Sequence, residues 1–252
     1  THGSLGMDYS SSPELIYEDV KFRLTRGVTG FLPTIGAFVS PENILESSVK
    51  IKRIIENNLK DYCDNNQYFK DSNKKQIKIT GKARTLGLNL EGPLLRPDLG
   101  AQPEENCMWN VDINYLKELK NLLGNFFKII TVAPELENAL EGITFLSEND
   151  IISSIGHTLA SENILDKAIR RGAKLVTHLL NTTYQPEQDI KGIMKTGVNE
   201  YLLIRDDIKA EAIMDIDGIH INPTMAKILI RCKSINDIIV VTDSFITPGT
   251  EK

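Results

Sequence analysis

Short apolar runs that end on an imidazole or a carboxylate recur along this chain, with helix signals between them. This alternation limits the possible folds more than any other feature. Leu86-Gly87-Leu88-Asn89-Leu90 ends on Glu91, Ser153-Ser154-Ile155-Gly156 on His157, Lys174-Leu175-Val176-Thr177 on His178, and Ile238-Ile239-Val240-Val241-Thr242 on Asp243. His220 follows a further run, in Asp217-Gly218-Ile219-His220-Ile221-Asn222-Pro223. Such runs, bounded by turn residues, read as buried strands. The pattern predicts strands at 28–33, 85–90, 127–133, 151–155, 175–177, 212–216 and 237–242, with a clipped eighth at Thr1-His2. Helices fit between them: 14–25 begins after Pro13 and ends before Gly27, another opens at Pro41, and 161–171 closes on Arg170-Arg171 before Gly172. Strand and helix in alternation imply βα units around a parallel sheet.

A (β/α)8 TIM-type barrel gives these polar ends a common purpose, because the carboxyl ends of all its strands converge on one face. Side chains remote in sequence then meet there. A catalytic zinc takes three protein ligands from imidazole and carboxylate and leaves one position open. Glu91, His157 and His178 supply that set, and Asp243 remains as a carboxylate able to carry a proton. All four histidines of the chain stand at or near predicted strand ends, which favours one shared divalent metal site over four unrelated core residues. The residues allow one ion or two.

Composition excludes several partner classes. With 252 residues, 41% of them hydrophobic, the chain can bury a core of barrel size in a single domain, 1–252. A net charge of −5 lacks the basic excess that nucleic-acid binding requires. No apolar run approaches the length that spans a bilayer, so no membrane partner is expected. Cys63, Cys107 and Cys232 share no metal-type spacing and form a poor disulfide framework, so reduced thiols and a cytoplasmic setting are expected. The Asn-, Lys- and Asp-rich segment 64–78 reads as a polar surface insertion.

Leu90-Glu91-Gly92-Pro93, Val132-Ala133-Pro134-Glu135, Gly156-His157-Thr158, Thr177-His178-Leu179-Leu180-Asn181, Asp217-Gly218-Ile219-His220-Ile221-Asn222-Pro223 and Val241-Thr242-Asp243 appear in one order from end to end. In these pieces the sequence resembles the N-acetylglucosamine-6-phosphate deacetylases of the amidohydrolase superfamily. The opening His2-Gly3-Ser4-Leu5-Gly6-Met7-Asp8 is similar to the glycine-rich segment after that family's first barrel strand. The resemblance implies metal-dependent hydrolysis of the acetamide of N-acetylglucosamine 6-phosphate, yielding glucosamine 6-phosphate and acetate. It implies a metal on Glu91, His157 and His178, a catalytic acid/base at Asp243, sugar-phosphate contacts from Asn181, Thr182 and His220, and a homodimer. Glu135 resembles a family residue but is not expected to be a ligand.

The chain departs from the family pattern at several places. Gly100-Ala101 is followed by Gln102 where the family has a carbonyl-polarising His, so Gln102 is expected to bind the substrate carbonyl as a weaker donor, since an amide donates a hydrogen bond without carrying charge. Asp189 stands where the family has an Arg that reaches the phosphate bound by the partner subunit, with Lys191 close by. The chain opens without Met at the tip of the first strand and stops before the helix that should cover the last, so a barrel incomplete at both ends is expected. Two other readings stay open at this level: a catalytically weakened or inactive homologue that binds a sugar phosphate or a partner chain, and an amidohydrolase acting on a different amide or ester.

Overall fold

Seven strands form one sheet, and each pairs with its successor in the chain. The structure, a computed structural model, describes residues 1–58, 67–70, 76–79, 81–100, 102–181, 193 and 195–245. The strands are β1 (Thr34–Gly36), β2 (Leu88–Glu91), β3 (Phe127–Val132), β4 (Ile152–Ile155), β5 (Leu175–Val176), β6 (Lys209–Ile213) and β7 (Ile238–Val241), in the spatial order β1 to β7. Every pairing is parallel. An unbroken sequential order brings all the carboxyl ends to one edge. A single cavity of about 790 Å³ is lined by residues of all seven strands, among them Thr34, Asn89, Ile129, Ile152, Leu175, Glu211 and Val241. Seven parallel strands can share one cavity only if the sheet curls around it.

Backbone hydrogen bonds join the two outer strands through the start of the chain. The Thr34 amide donates to the Thr1 carbonyl (2.8 Å), and the His2 amide donates to the Ser244 carbonyl (2.8 Å) just after β7. Thr1-His2 thus sits where an eighth strand was expected, although it forms no strand of its own.

Helix α1 (Ile16–Thr25) precedes β1, and between successive strands lie α2 (Pro41–Asn58), α3 (Ile113–Leu123), α4 (Ala139–Glu148), α5 (Glu162–Arg170), α6 (Val198–Leu203) and α7 (Pro223–Cys232). In α3, Leu116, Leu119 and Leu123 are buried at helical spacing, and Asp112 caps the first turn by accepting from the Asn114 amide. Ile143 and Leu146 of α4 and Leu165 and Ile169 of α5 join Leu88, Leu90, Ile130 and Val132 in one core. Burial of each such side chain stabilises by about 1.5–3 kcal/mol, so the strands and the helices that cover them form together.

Three expectations require correction or qualification. The predicted strand 28–33 divides at Pro33: Gly30–Phe31 pairs with Arg84–Thr85 in a separate ribbon, and the sheet strand begins at Thr34. Proline has no N–H to give to a ladder, which accounts for the break. The run 212–216 is shifted to Lys209–Ile213, and Ile216 is fully exposed, so His220 lies well out on a loop and not at a strand end. Within the expected insertion, Gln67–Lys70 and Gln76–Ile79 pair as an antiparallel hairpin, and the rest of 64–78 except these strands lies outside the described residues.

Candidate active site

The parallel sheet brings the predicted ligands together. Glu91 ends β2, His157 and His178 lie just past β4 and β5, and Asp243 lies just past β7. The ligand atoms of Glu91, His157 and His178 fall within 4.8 Å of one another, as do those of His2, Glu91 and Asp243. The Glu91 carboxylate sits between the two sets. Its Oε1 is 2.8 Å from His157 Nε2 and 3.1 Å from His178 Nε2, and its Oε2 is 3.0 Å from His2 Nε2. His2 Nε2 is also 3.5 Å from Asp243 Oδ1. All three imidazoles are buried.

His157, His178 and Asp243 all take left-handed backbone angles, with φ of 49°, 27° and 43°. Each such non-glycine residue costs on the order of 1–3 kcal/mol and persists only where its surroundings hold it. Sharp turns of this kind direct the side chains back over the strand ends. Gly100, at φ 107°, serves the same end, since a Cβ there would come within 2.5 Å of Gln102 Oε1 and 2.9 Å of His157 Nδ1.

The donor set fits a divalent cation. His157 Nδ1 donates to the Leu99 carbonyl (2.8 Å), so a neutral His157 turns the lone pair of Nε2 toward Glu91 Oε1. That is acceptor against acceptor, and a cation between them resolves it. His178 Nδ1 has no hydrogen-bond partner among the described residues. Without a cation, burial opposes charge on His178, but the Glu91 carboxylate outweighs it and raises the imidazole to about 9. Burial also opposes ionisation of Glu91; His178 and the imidazole hydrogen bonds overcome it and hold the carboxyl well below its usual range.

Around this centre lies a cleft of about 330 Å³, lined by Phe38, Gln102, Asn181, His220, Asp243 and Phe245 together with Glu91, His157 and His178. Gln102 is buried, and its Nε2 donates to the Leu99 (2.6 Å) and Arg96 (3.0 Å) carbonyls. Both N–H groups therefore bind the chain's own loop, which leaves none for a substrate carbonyl in this arrangement. Asn181 Nδ2 donates to the His220 carbonyl (3.1 Å). Thr182, Asp189 and Lys191 lie outside the described residues.

Sequence reasoning did not assign three groups. His2, counted with the strand-end histidines but given no role of its own, turns its imidazole to Glu91. Asp215 accepts from the His220 ring (Nδ1 to Oδ2, 2.5 Å), which holds the Asp215 carboxyl below its ordinary range. Glu211 of β6 faces the cavity beneath the ligands; burial raises its carboxyl to about 7 against the pull of nearby positive charge. Its alternate position in an apolar run was the only sequence signal. Glu135 accepts from the Thr158 hydroxyl and the Leu159 amide, so it steadies the His157 loop. Cys107 and Cys232 are free thiols. No described helix is long and apolar enough to cross a membrane.

No protein-family model matches the chain. An N-acetylglucosamine-6-phosphate deacetylase of Bacillus subtilis is 35% identical over 168 residues, 66% of this chain and 40% of the relative. The human protein of the same name is 28% identical over 256 residues, covering 96% of this chain and 54% of the relative. The chain thus spans about half the length of these relatives. Among solved structures, the Thermotoga maritima N-acetylglucosamine-6-phosphate deacetylase aligns at a TM-score of 0.74 and 28% identity, over 97% of this chain and 57% of that one. A mutant of the Mycobacterium smegmatis deacetylase in complex with N-acetyl-D-glucosamine-6-phosphate aligns at 0.77 and 21% identity, over 97% of this chain and 56% of that one, a likeness of fold.

Proposed function

Because the chain is homologous to the N-acetylglucosamine-6-phosphate deacetylases, we propose that it carries the catalytic centre of a metal-dependent deacetylase acting on N-acetylglucosamine 6-phosphate. The observation that carries this reading is the convergence of Glu91, His157 and His178 on one point, with Asp243 beside them across the same cleft. A (β/α)8 barrel is the architecture proposed for the intact catalytic domain. The hydrogen bonds of Thr1-His2 to both outer strands support it.

Glu91, His157 and His178 would hold a divalent ion, zinc by the chemistry of two imidazoles and a carboxylate. Such an ion supplies Lewis acidity, which an unreactive amide needs. The chain's own groups do the rest. Asp243 takes a proton from the attacking water and delivers it to the nitrogen as the carbonyl carbon–nitrogen bond breaks, so the products are the amine and acetate. Asn181 and His220 orient the sugar phosphate, with Asp215 fixing the His220 ring, and Thr182 joins them by the family match. Gln102 walls the cleft and holds the Leu99 carbonyl in place. A cytoplasmic homodimer is the setting this reading assigns.

The test is acetate release from N-acetylglucosamine 6-phosphate by the full chain, read together with metal content. Glu91→Gln should lose most of the metal and the activity. Asp243→Asn should retain the metal while turnover falls by about 10²–10⁴. Full metal in Glu91→Gln removes the site, and near-normal turnover in Asp243→Asn removes the proton carrier.

A further inference from the structure

Below the His2 segment, α1 carries a buried ion pair that the ligand set does not use. Asp19 and Arg23 are both buried, and Arg23 Nε donates to Asp19 Oδ2 at 2.5 Å. The Ser4 hydroxyl donates to the same carboxylate, as does the Tyr9 hydroxyl. From the other side of the guanidinium, Nη2 reaches Thr1 Oγ1 (2.7 Å), the Gly3 carbonyl (3.1 Å) and Ser244 Oγ (3.4 Å). These acceptors flank the site: Thr1 and Gly3 are the neighbours of His2, and Ser244 follows Asp243. The two segments are also bound to each other, Ser244 Oγ donating to the Gly3 carbonyl (3.0 Å) and the His2 amide to the Ser244 carbonyl (2.8 Å).

We propose that Asp19 and Arg23 are positioning residues that lock the His2 and Asp243 segments together and so fix the proton carrier relative to the metal ligands. The proposal rests on the deacetylase reading above. The backbone of the proton carrier requires such a lock. Asp243 has a φ of 43°, a conformation that must be imposed by its surroundings. The planar guanidinium suits the task, because it can pair with a carboxylate through one nitrogen and bind backbone and hydroxyl oxygens of two other segments through another. An ammonium lacks that fixed fork. Asp19 in turn is held by two hydroxyls of the loop that follows His2, so the arginine cannot swing away without breaking three segments apart.

The experiment uses the full chain with Arg23→Lys, and the double variant Asp19→Asn/Arg23→Met, which buries no unpaired charge. A displacement near 1 Å at a reacting group can cost on the order of 100-fold in rate, so kcat for acetate release should fall roughly 10- to 100-fold. KM and metal content should stay near the wild-type values. Amide exchange should accelerate in the peptides covering 1–8 and 240–245 and stay unchanged across 127–157. The proposal is overturned if kcat and exchange at 240–245 match wild type while only thermal stability drops, since the pair is then merely structural. It is equally overturned if metal is lost in step with activity, which would mean that the pair supports the ligands. Should the wild type release no acetate, the deacetylase reading fails, and exchange at 240–245 in Arg23→Lys still decides whether the lock exists.

Discussion

The Leu99 carbonyl accepts from two side chains, His157 Nδ1 at 2.8 Å and Gln102 Nε2 at 2.6 Å. Gln102 therefore acts on the proposed ligand His157 through a shared acceptor. Outer partners of this type change metal affinity by about 10- to 100-fold when removed, so Gln102→Ala should weaken metal binding by that order in a chelator competition. Unchanged affinity would show that Leu99 is held without it. His178 leads to a pH prediction. With its imidazole raised to about 9 in the ion-free protein, it is protonated at pH 7.5 and must shed that proton to bind a cation. Metal uptake at pH 7.5 should release close to one proton into weak buffer, and the release should fade above about pH 9. The sign for stability follows: the folded value exceeds the ordinary 6.5, so the ion-free protein gains from the His178–Glu91 pair below that pH and loses the gain as pH rises through about 9. The convergence of Glu91, His157 and His178, with Asp243 beside Glu91, was legible because each closes an apolar run of its own. The contact of His2 with Glu91 was not, since it joins positions 89 apart and has no local pattern.

At the level of elements, apolar periodicity located β3, β4, β5 and β7 closely, while β1 and β6 were displaced. Both failures have local causes. Pro33 interrupts the first ladder, and Glu211 sits inside β6, where a charged residue argues against a strand until its place against the cavity is known. The helix starts read at Pro41 and 161 fall on α2 and within one residue of α5, whereas the start of α7 was not read. Asn222 caps α7 by accepting from the Thr224 and Met225 amides, both at 3.0 Å, just after the loop that carries His220. Asn222→Ala should therefore cost about 1 kcal/mol in denaturant unfolding. The metal content should not change, because the ligands lie on other strands. A loss of metal in that variant would show that the loop after β6 is coupled to the ligand set.

On the scale of the whole molecule, the βα alternation conveyed the parallel sheet and the side on which its chemistry gathers. The joining of both outer strands by Thr1-His2 could be expected only as a clipped strand, because a two-residue segment has no period of its own. Metal removal tests this level. An ion present at 1,000 times its dissociation constant stabilises by about 4 kcal/mol, which for a domain of this size corresponds to roughly 10 °C in Tm. Chelation should lower Tm by that order, and restoring the ion should recover it. A Tm indifferent to chelator would mean that the ion is not part of the fold's stability. Glu91 is separated from His157 by 66 positions and from His178 by 87. An ion held among them thus closes two long chain loops at once, much as a pair of cross-links would, but with a bond that opens whenever the ion leaves. Degradation of the protein in a cell should then follow metal supply: scarcity would shorten its lifetime as well as stop its turnover, and abundance would protect chains that have no substrate at all.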